Sequence, residues 1–161
     1  QDITEDDINE IYNIETFSLP PALIASTQIT KEWYDYNPFT IIGARDKETQ
    51  KLVGFIHTIP VTDEYYEQIR SGNFDDTKIS LDNIRQYDMQ GFYKLYLSSF
   101  CIHPKYNATQ AFGLIYTEFI DFLLALATER GIFISHIIAD GATQKGATLC
   151  KHIGMQKVQN S

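Results

Sequence analysis

Positive charge is scarce in this 161-residue chain. Its 13 lysines and arginines face 21 aspartates and glutamates, for a net charge of −8. Phosphate backbones are bound by clustered Lys and Arg, so no nucleic-acid partner is expected. A cationic substrate fits the balance, although an acidic surface also serves solubility alone. Cysteine is nearly absent: Cys101 and Cys150 are too few for a disulfide framework, and a reducing cytoplasm is the natural compartment. No unbroken run of about 18 apolar residues occurs, so no membrane span is expected. The opening QDITEDDINE is too acidic and polar for a signal peptide. It does not begin with methionine, so the chain is expected to start within a longer polypeptide, with a removed leader left open. Internal repeats and low-complexity tracts are missing.

Other absences narrow the chemistry. His57, His103, His136 and His152 show no metal-ligand spacing with each other or with the cysteines, so no metal is expected. Each reads as a surface or packed histidine. There is no Gly-x-Ser-x-Gly elbow, which argues against a hydrolase of that type. Gly141 to Thr148 has the glycine spacing of a phosphate loop, but Ala147 stands where the phosphate-binding lysine must be, so the match is chance.

What is present is enough to build a core. Hydrophobic residues make up 43% of the chain, and a domain of this length buries roughly 70% of its unfolded surface. A single domain over 1–161 is expected. Thr4 and Asp7 form a capping box, and Ile8, Ile11 and Tyr12 follow at helical spacing, which predicts a helix from Glu5 to Thr16. After Pro20-Pro21 a second helix is predicted over 22–34. Residues 39–45 and 52–59 read as a hairpin ended by Pro60. Segment 63–91 is acidic and reads as an ordered insertion. Within it Tyr65, Tyr66 and Ile69 face inward from a short helix closed by Gly72, and Ser80 caps another with Leu81 and Ile84 inward. The charge there could recognise a polyamine or an aminoglycoside, but solvated charge is the usual meaning of such a run.

Beyond the insertion, 93–102 reads as a strand and 110–130 as an amphipathic helix. Phe112, Ile115, Phe119, Leu123 and Leu126 share one face of that helix, and Gly131 caps it. Residues 132–139 are almost wholly apolar, as a strand covered on both faces would be. Strand, helix, strand predicts a right-handed parallel crossover. A last short helix over 142–153 would end at Gly154.

The order from Leu95 onward, LYLSSFCIHPKY, then NATQAFGLIYTEFIDFLLALATERG, then IFISHIIADG, then ATQKGATLCKHIGMQKV, resembles the acetyl-CoA-binding half of the GNAT N-acetyltransferase superfamily. Ile102, Pro104 and Tyr106 match the start of its motif, and Ala147, Leu149, Gly154 and Met155 match the end. The resemblance covers nearly the whole chain as an order of elements but only a few residues as motifs. It implies an α/β fold with a mixed, twisted sheet flanked by helices, the insertion lying between the family's third and fourth strands. It implies acyl transfer, most simply of acetyl from acetyl-CoA to a primary amine. The acceptor would be a small molecule or a peptide, approaching from the side of 63–91 and 22–34. The alternative is a GNAT-like domain that has lost catalysis and serves as a binding or regulatory module.

The same resemblance assigns candidate residues. The main chain of Phe100, Cys101 and Ile102 would pair with pantetheine. The pyrophosphate loop falls on Asn107, Ala108, Thr109, Gln110, Ala111 and Phe112, where the family's arginine and all its glycines are missing. Glycines let phosphate approach amides at a helix start. Without them 107–112 also reads as a plain helix start with Asn107 or Thr109 as its cap, and Phe112 must turn into the core or block the site. Cys150 stands where the family often has its tyrosine acid. It could protonate the departing thiolate, act as an acyl-accepting nucleophile, or merely pack. Tyr96 holds the place of the carboxylate base or is a core aromatic. Asp140, at the carboxyl edge of its strand, either orients an ammonium group or caps the next helix.

Overall fold

The computed structural model describes residues 3–140, 151 and 154–156. Helix α1 (Glu5–Thr16) starts at the capping box: Asp7 N–H donates to Thr4 Oγ1, and Thr4 N–H donates to Asp7 Oδ2. Its buried stripe is Ile8, Ile11 and Ile14. The predicted helix over 22–34 is divided. Pro21–Leu23 form a 3-10 turn, Ile24 is extended, and α2 (Thr27–Tyr36) starts afresh where the Ser26 side chain accepts from Ile29 N–H. The helix ends before Pro38, because a residue preceding proline is pushed out of the helical region. Phe39 likewise belongs to a 3-10 turn, Pro38–Thr40, and not to the strand that follows.

Four strands form one sheet in the order β1-β2-β3-β4. They are β1 (Ile41–Arg45), β2 (Leu52–Val61), β3 (Gly91–Ile102) and β4 (Ile132–Ala139). The first two pairings are antiparallel, and β3 and β4 are parallel, joined by α4 (Ala108–Arg130) as the crossover predicts. Residues 3–40 contain no strand, so the insertion joins the second and third of these four strands. Pro60 does not end β2, which runs on to Val61. Pro60 pairs with Leu95 on one side, while on the other its carbonyl accepts from Arg85 N–H. That other side has no β1 neighbour beyond His57, so the missing N–H costs no ladder bond.

The sheet separates two layers. On one face α1, α2 and the insertion cover Phe55, Ile59 and Tyr96. On the other, Ile115, Phe119 and Leu126 of α4 pack on Ile56, Tyr93, Leu95 and Leu97, each side chain contributing about 1.5–3 kcal/mol of burial. By length and composition α4 is apolar enough to cross a membrane, with a window of mean hydropathy 1.5; here one stripe of it lies on the sheet. Strand β4 is not covered on both faces as its composition predicts, since Phe133 is 49% and Ile137 38% exposed.

The insertion is ordered. Its helix α3 (Asp63–Arg70) is capped by Thr62, buries Tyr65 and Ile69, and is followed by Gly72 at φ 80°. Trp33 Nε1 donates to Ile79 O across 2.9 Å, and Asn37 Nδ2 to Arg85 O. These bonds seat the segment on α2. Ile84 is buried as expected, but Leu81 faces outward at 37% exposure, because Leu81–Asn83 is a single 3-10 turn too short to present a face.

Candidate active site

The site arises from a fault line in the sheet. Strand β3 pairs with β4 only as far as Leu97 and Ala139. It stays paired with β2 to its end, Ile102 opposite Gly54. Gly54 permits that contact, because a Cβ there would lie 2.6 Å from Cys101 O. Between Leu97 and Ser99, Ser98 is an extra residue with no partner on β2, a β-bulge. The bulge resets the alternation of side chains. Tyr96 and Cys101 both pack toward the α1–α2 layer, while Phe100 and Ile102 turn toward α4.

A cavity of about 330 Å³ opens at the fault and draws walls from both layers. Glu15, Trp33, His57, Asp76 and Ser99 line it on the α1–α2 side, and Phe100, Ile102, Ala108 and Phe112 toward α4. Ala139 and Asp140 contribute the end of β4. Phe100, Cys101 and Ile102 of the expected pantetheine strand therefore all border the cavity.

The expected phosphate loop is a well-capped helix start. Asn107 Oδ1 accepts from Gln110 N–H, and Asn107 O accepts from Ala111 N–H. Ala108, Thr109 and Gln110 are exposed and Ala111 is buried. Phe112 turns inward and stacks on Phe100 at 4.5 Å between centroids, 10° from parallel. In place of the glycines the sequence thus has a ring pair that joins α4 to β3 at the cavity wall.

Tyr96 lies within the core at 1% exposure, and its hydroxyl donates to Asp76 Oδ2 at 2.7 Å. Burial, with Asp76 beside it, pushes this phenol far above its ordinary value of 10. So weak an acid keeps its proton near neutral pH, which favours the core-aromatic reading of Tyr96. Asp76, from the insertion, brings a carboxylate to the cavity wall beside Tyr96. Burial raises its pKa, the Tyr96 bond works against that, and the charge of Asp140 adds to it.

Glu15, in the last turn of α1, is a second missed carboxylate. Burial, reinforced by the charge of Asp76, pushes it up to about 8. No spacing marks it in the sequence; only its place on the inward side of α1, one residue after Ile14, hints at burial. Burial and the nearby Glu15 push the Cys101 thiol up to about 12. Burial drives His57 down to about 4, so its ring is neutral at physiological pH. Asp140 is exposed at the mouth. Cys150, with the predicted helix 142–153 and the glycines of 141–148, lies outside the described residues.

Solved structures share the fold over nearly the whole chain. A Trypanosoma brucei acetyltransferase superposes with a TM-score of 0.53 at 12% identity, covering 100% of this chain and 94% of its own. A ribosomal-protein-alanine N-acetyltransferase from Brucella melitensis gives 0.52 at 14% identity, covering 98% and 91%. A tetramutant of a Bacillus halodurans protein gives 0.54 at 12% identity, covering 100% and 95%. The fold is that of the GNAT acetyltransferases. No family model and no curated protein matches the sequence. The GNAT fold is thus held here by pattern, the parallel crossover and the split after Leu97 and Ala139, with hardly any of the family's motif residues.

Proposed function

We propose that this chain is an acyl-CoA-dependent N-acyltransferase, in the simplest case moving acetyl from acetyl-CoA to a primary amine. The observation that carries the reading is the split of β3 from β4 beyond Leu97 and Ala139. It leaves Phe100, Cys101 and Ile102 along a cavity walled from both layers. An extended pantetheine arm would take the place of a strand beside β3. The pyrophosphate would lie at the start of α4, where the Asn107–Phe112 amides and the helix dipole favour an anion. The amine, a small molecule or an exposed peptide terminus, would come from the α1–α2 side, drawn by Glu15, Asp76 and Asp140. A reducing compartment such as the cytoplasm fits a buried free thiol at Cys101.

The reaction needs a free amine nitrogen. Glu15 takes the ammonium proton, a task suited to a carboxylate whose pKa of about 8 lies near the working pH. The nitrogen lone pair then attacks the thioester carbon, the C–N bond forms, the attacking nitrogen sheds its second proton to solvent, and the C–S bond breaks as the tetrahedral intermediate collapses. The departing thiolate takes a proton from an acid, and Cys150, at the family's tyrosine position, is the proposed donor.

Thiol release across a panel of amines, run beside thermal melts with and without CoA, tests this. Ligand at 100 times its dissociation constant adds about 2.7 kcal/mol. Cys150→Ala should slow turnover roughly a hundredfold, and Cys150→Tyr should retain it. If neither turnover nor CoA binding is found, a non-catalytic module takes the place of this reading.

A further inference from the structure

Two buried polar side chains on the cavity wall carry an atom with no hydrogen-bond partner among the described residues. His57 on β2 and Ser99 on β3 are register partners, so their side chains leave the sheet on one face. His57 is 4% and Ser99 9% exposed, and both line the cavity. Neither His57 Nε2 nor Ser99 Oγ has a hydrogen-bond partner. Most buried polar atoms are paired, and an orphan calls for an explanation. Thr58 and Tyr87 carry the other orphans among the described residues, but neither lines the cavity. The two side chains share one cavity wall, and the bulge at Ser98 is what turns Ser99 toward α1 and α2.

We propose that His57 and Ser99 form a subsite for a hydroxyl group on the acyl acceptor, which makes the acceptor a small amino alcohol. The inference rests on the acyltransfer reading and names its substrate class. A hydroxyl donates one hydrogen bond and accepts others, so it satisfies serine and imidazole together whichever ring nitrogen carries the proton. Burial keeps the ring uncharged at neutral pH, so the pair offers no cation to a carboxylate. A carboxylate would also meet Glu15, Asp76 and Asp140 on the same walls. Those three suit the ammonium end of the acceptor, and Trp33, 5.8 Å from the His57 ring, gives its carbon chain an apolar surface. An acceptor with an amine at one end and a neutral hydroxyl at the other fits each wall in turn.

The test compares propylamine with 3-aminopropan-1-ol, and with 3-aminopropanamide as a third arm, in thiol-release kinetics on the full chain with acetyl-CoA. The parent should prefer the amino alcohol by at least about tenfold in kcat/KM, well within what hydroxyl-reading sites achieve. Ser99→Ala and His57→Leu should each bring that ratio towards one. Ser99→Ala should melt no lower than the parent, because it removes an orphan and not a bond; it keeps the test open if His57→Leu does not fold. Equal use of propylamine and the amino alcohol, preference for the amide, or a ratio indifferent to both substitutions overturns the subsite while leaving acyl transfer in place. A ratio that holds while calorimetric affinity for acetyl-CoA falls in Ser99→Ala also overturns it, because the pair then serves the thioester. Absence of turnover with every amine, together with absence of CoA binding, overturns acyl transfer itself and this inference with it.

Discussion

The Tyr96 hydroxyl donates a 2.7 Å hydrogen bond to Asp76 Oδ2, tying a central strand to the acidic insertion across the edge of the cavity. The bond is short because the acceptor is a carboxylate. It fixes Asp76 in a site that the strand alone would leave without an acid.

Tyr96→Phe removes that bond and little else. Stability should fall by about 1 kcal/mol, and the Asp76 pKa should rise further, since the Tyr96 bond opposes the effect of burial there. Turnover should fall by less than about tenfold, as a positioning change and not the loss of a base. A loss of about a hundredfold at unchanged melting temperature would restore Tyr96 to a direct chemical role.

Glu15→Gln separates the base from the scaffold. The parent kcat/KM should climb with pH and level off above about 8, the value to which burial pushes Glu15. The glutamine variant should lose that inflection and about a hundredfold in rate. Stability should move the opposite way. The folded protein holds the Glu15 proton more tightly than the unfolded chain, whose value is 4.5. Stability from this group is therefore full below pH 4.5 and is lost as pH rises through about 8. Glutamine mimics the protonated form, so at pH 7.5 the variant should be the more stable by roughly 1–3 kcal/mol. Melts across pH 5 to 9 check the sign.

Gln110→Glu tests the phosphate position. A carboxylate in the first turn of α4 favours the helix dipole, so stability should hold or rise slightly. Acetyl-CoA affinity should fall by roughly threefold to tenfold through repulsion of the pyrophosphate, more at low salt than at high. Unchanged affinity in calorimetry, at any ionic strength, places the pyrophosphate elsewhere.

Asp7→Asn should be the most destabilising of these changes, by about 2–3 kcal/mol. Asp7 joins the capping box to a two-pronged ion pair with Arg45, Oδ1 lying 2.8 Å from Nη1. The Arg45 contact holds the Asp7 pKa below its ordinary 3.8. The stabilisation is therefore present above pH 3.8 and is lost as pH falls through the lowered folded value. Acid melts of the parent should show that loss, and those of the variant should not.

The local signals in the sequence are those that were legible. Thr4 and Asp7 announce α1, Gly131 ends α4, and the change from apolar run to helical spacing after Ile102 gives the parallel crossover. Each depends on residues near one another in the chain. The cavity escapes because its carboxylates are brought together only through distant packing. Glu15 looks like any acid at the end of a helix, and Asp76 like one more charge in an acidic loop, until the fold sets both, half-buried, on the wall of one cavity. Pro60 misleads because its cost depends on which side of β2 is paired. The bulge at Ser98 carries no signature either, yet it decides which face Ser99 and Cys101 occupy. Strand β4 reads as doubly covered since composition reports how apolar a strand is and not what lies on it.

The chain contains a single tryptophan, and that residue, Trp33, is a wall of the cavity. Its indole N–H is held by Ile79 O. Emission excited beyond the absorption of the ten tyrosines therefore originates at one known address, with no background from a second indole. Its wavelength follows the polarity of the cavity. Filling of the cavity can be titrated on the unlabelled, unmodified chain in an ordinary fluorimeter.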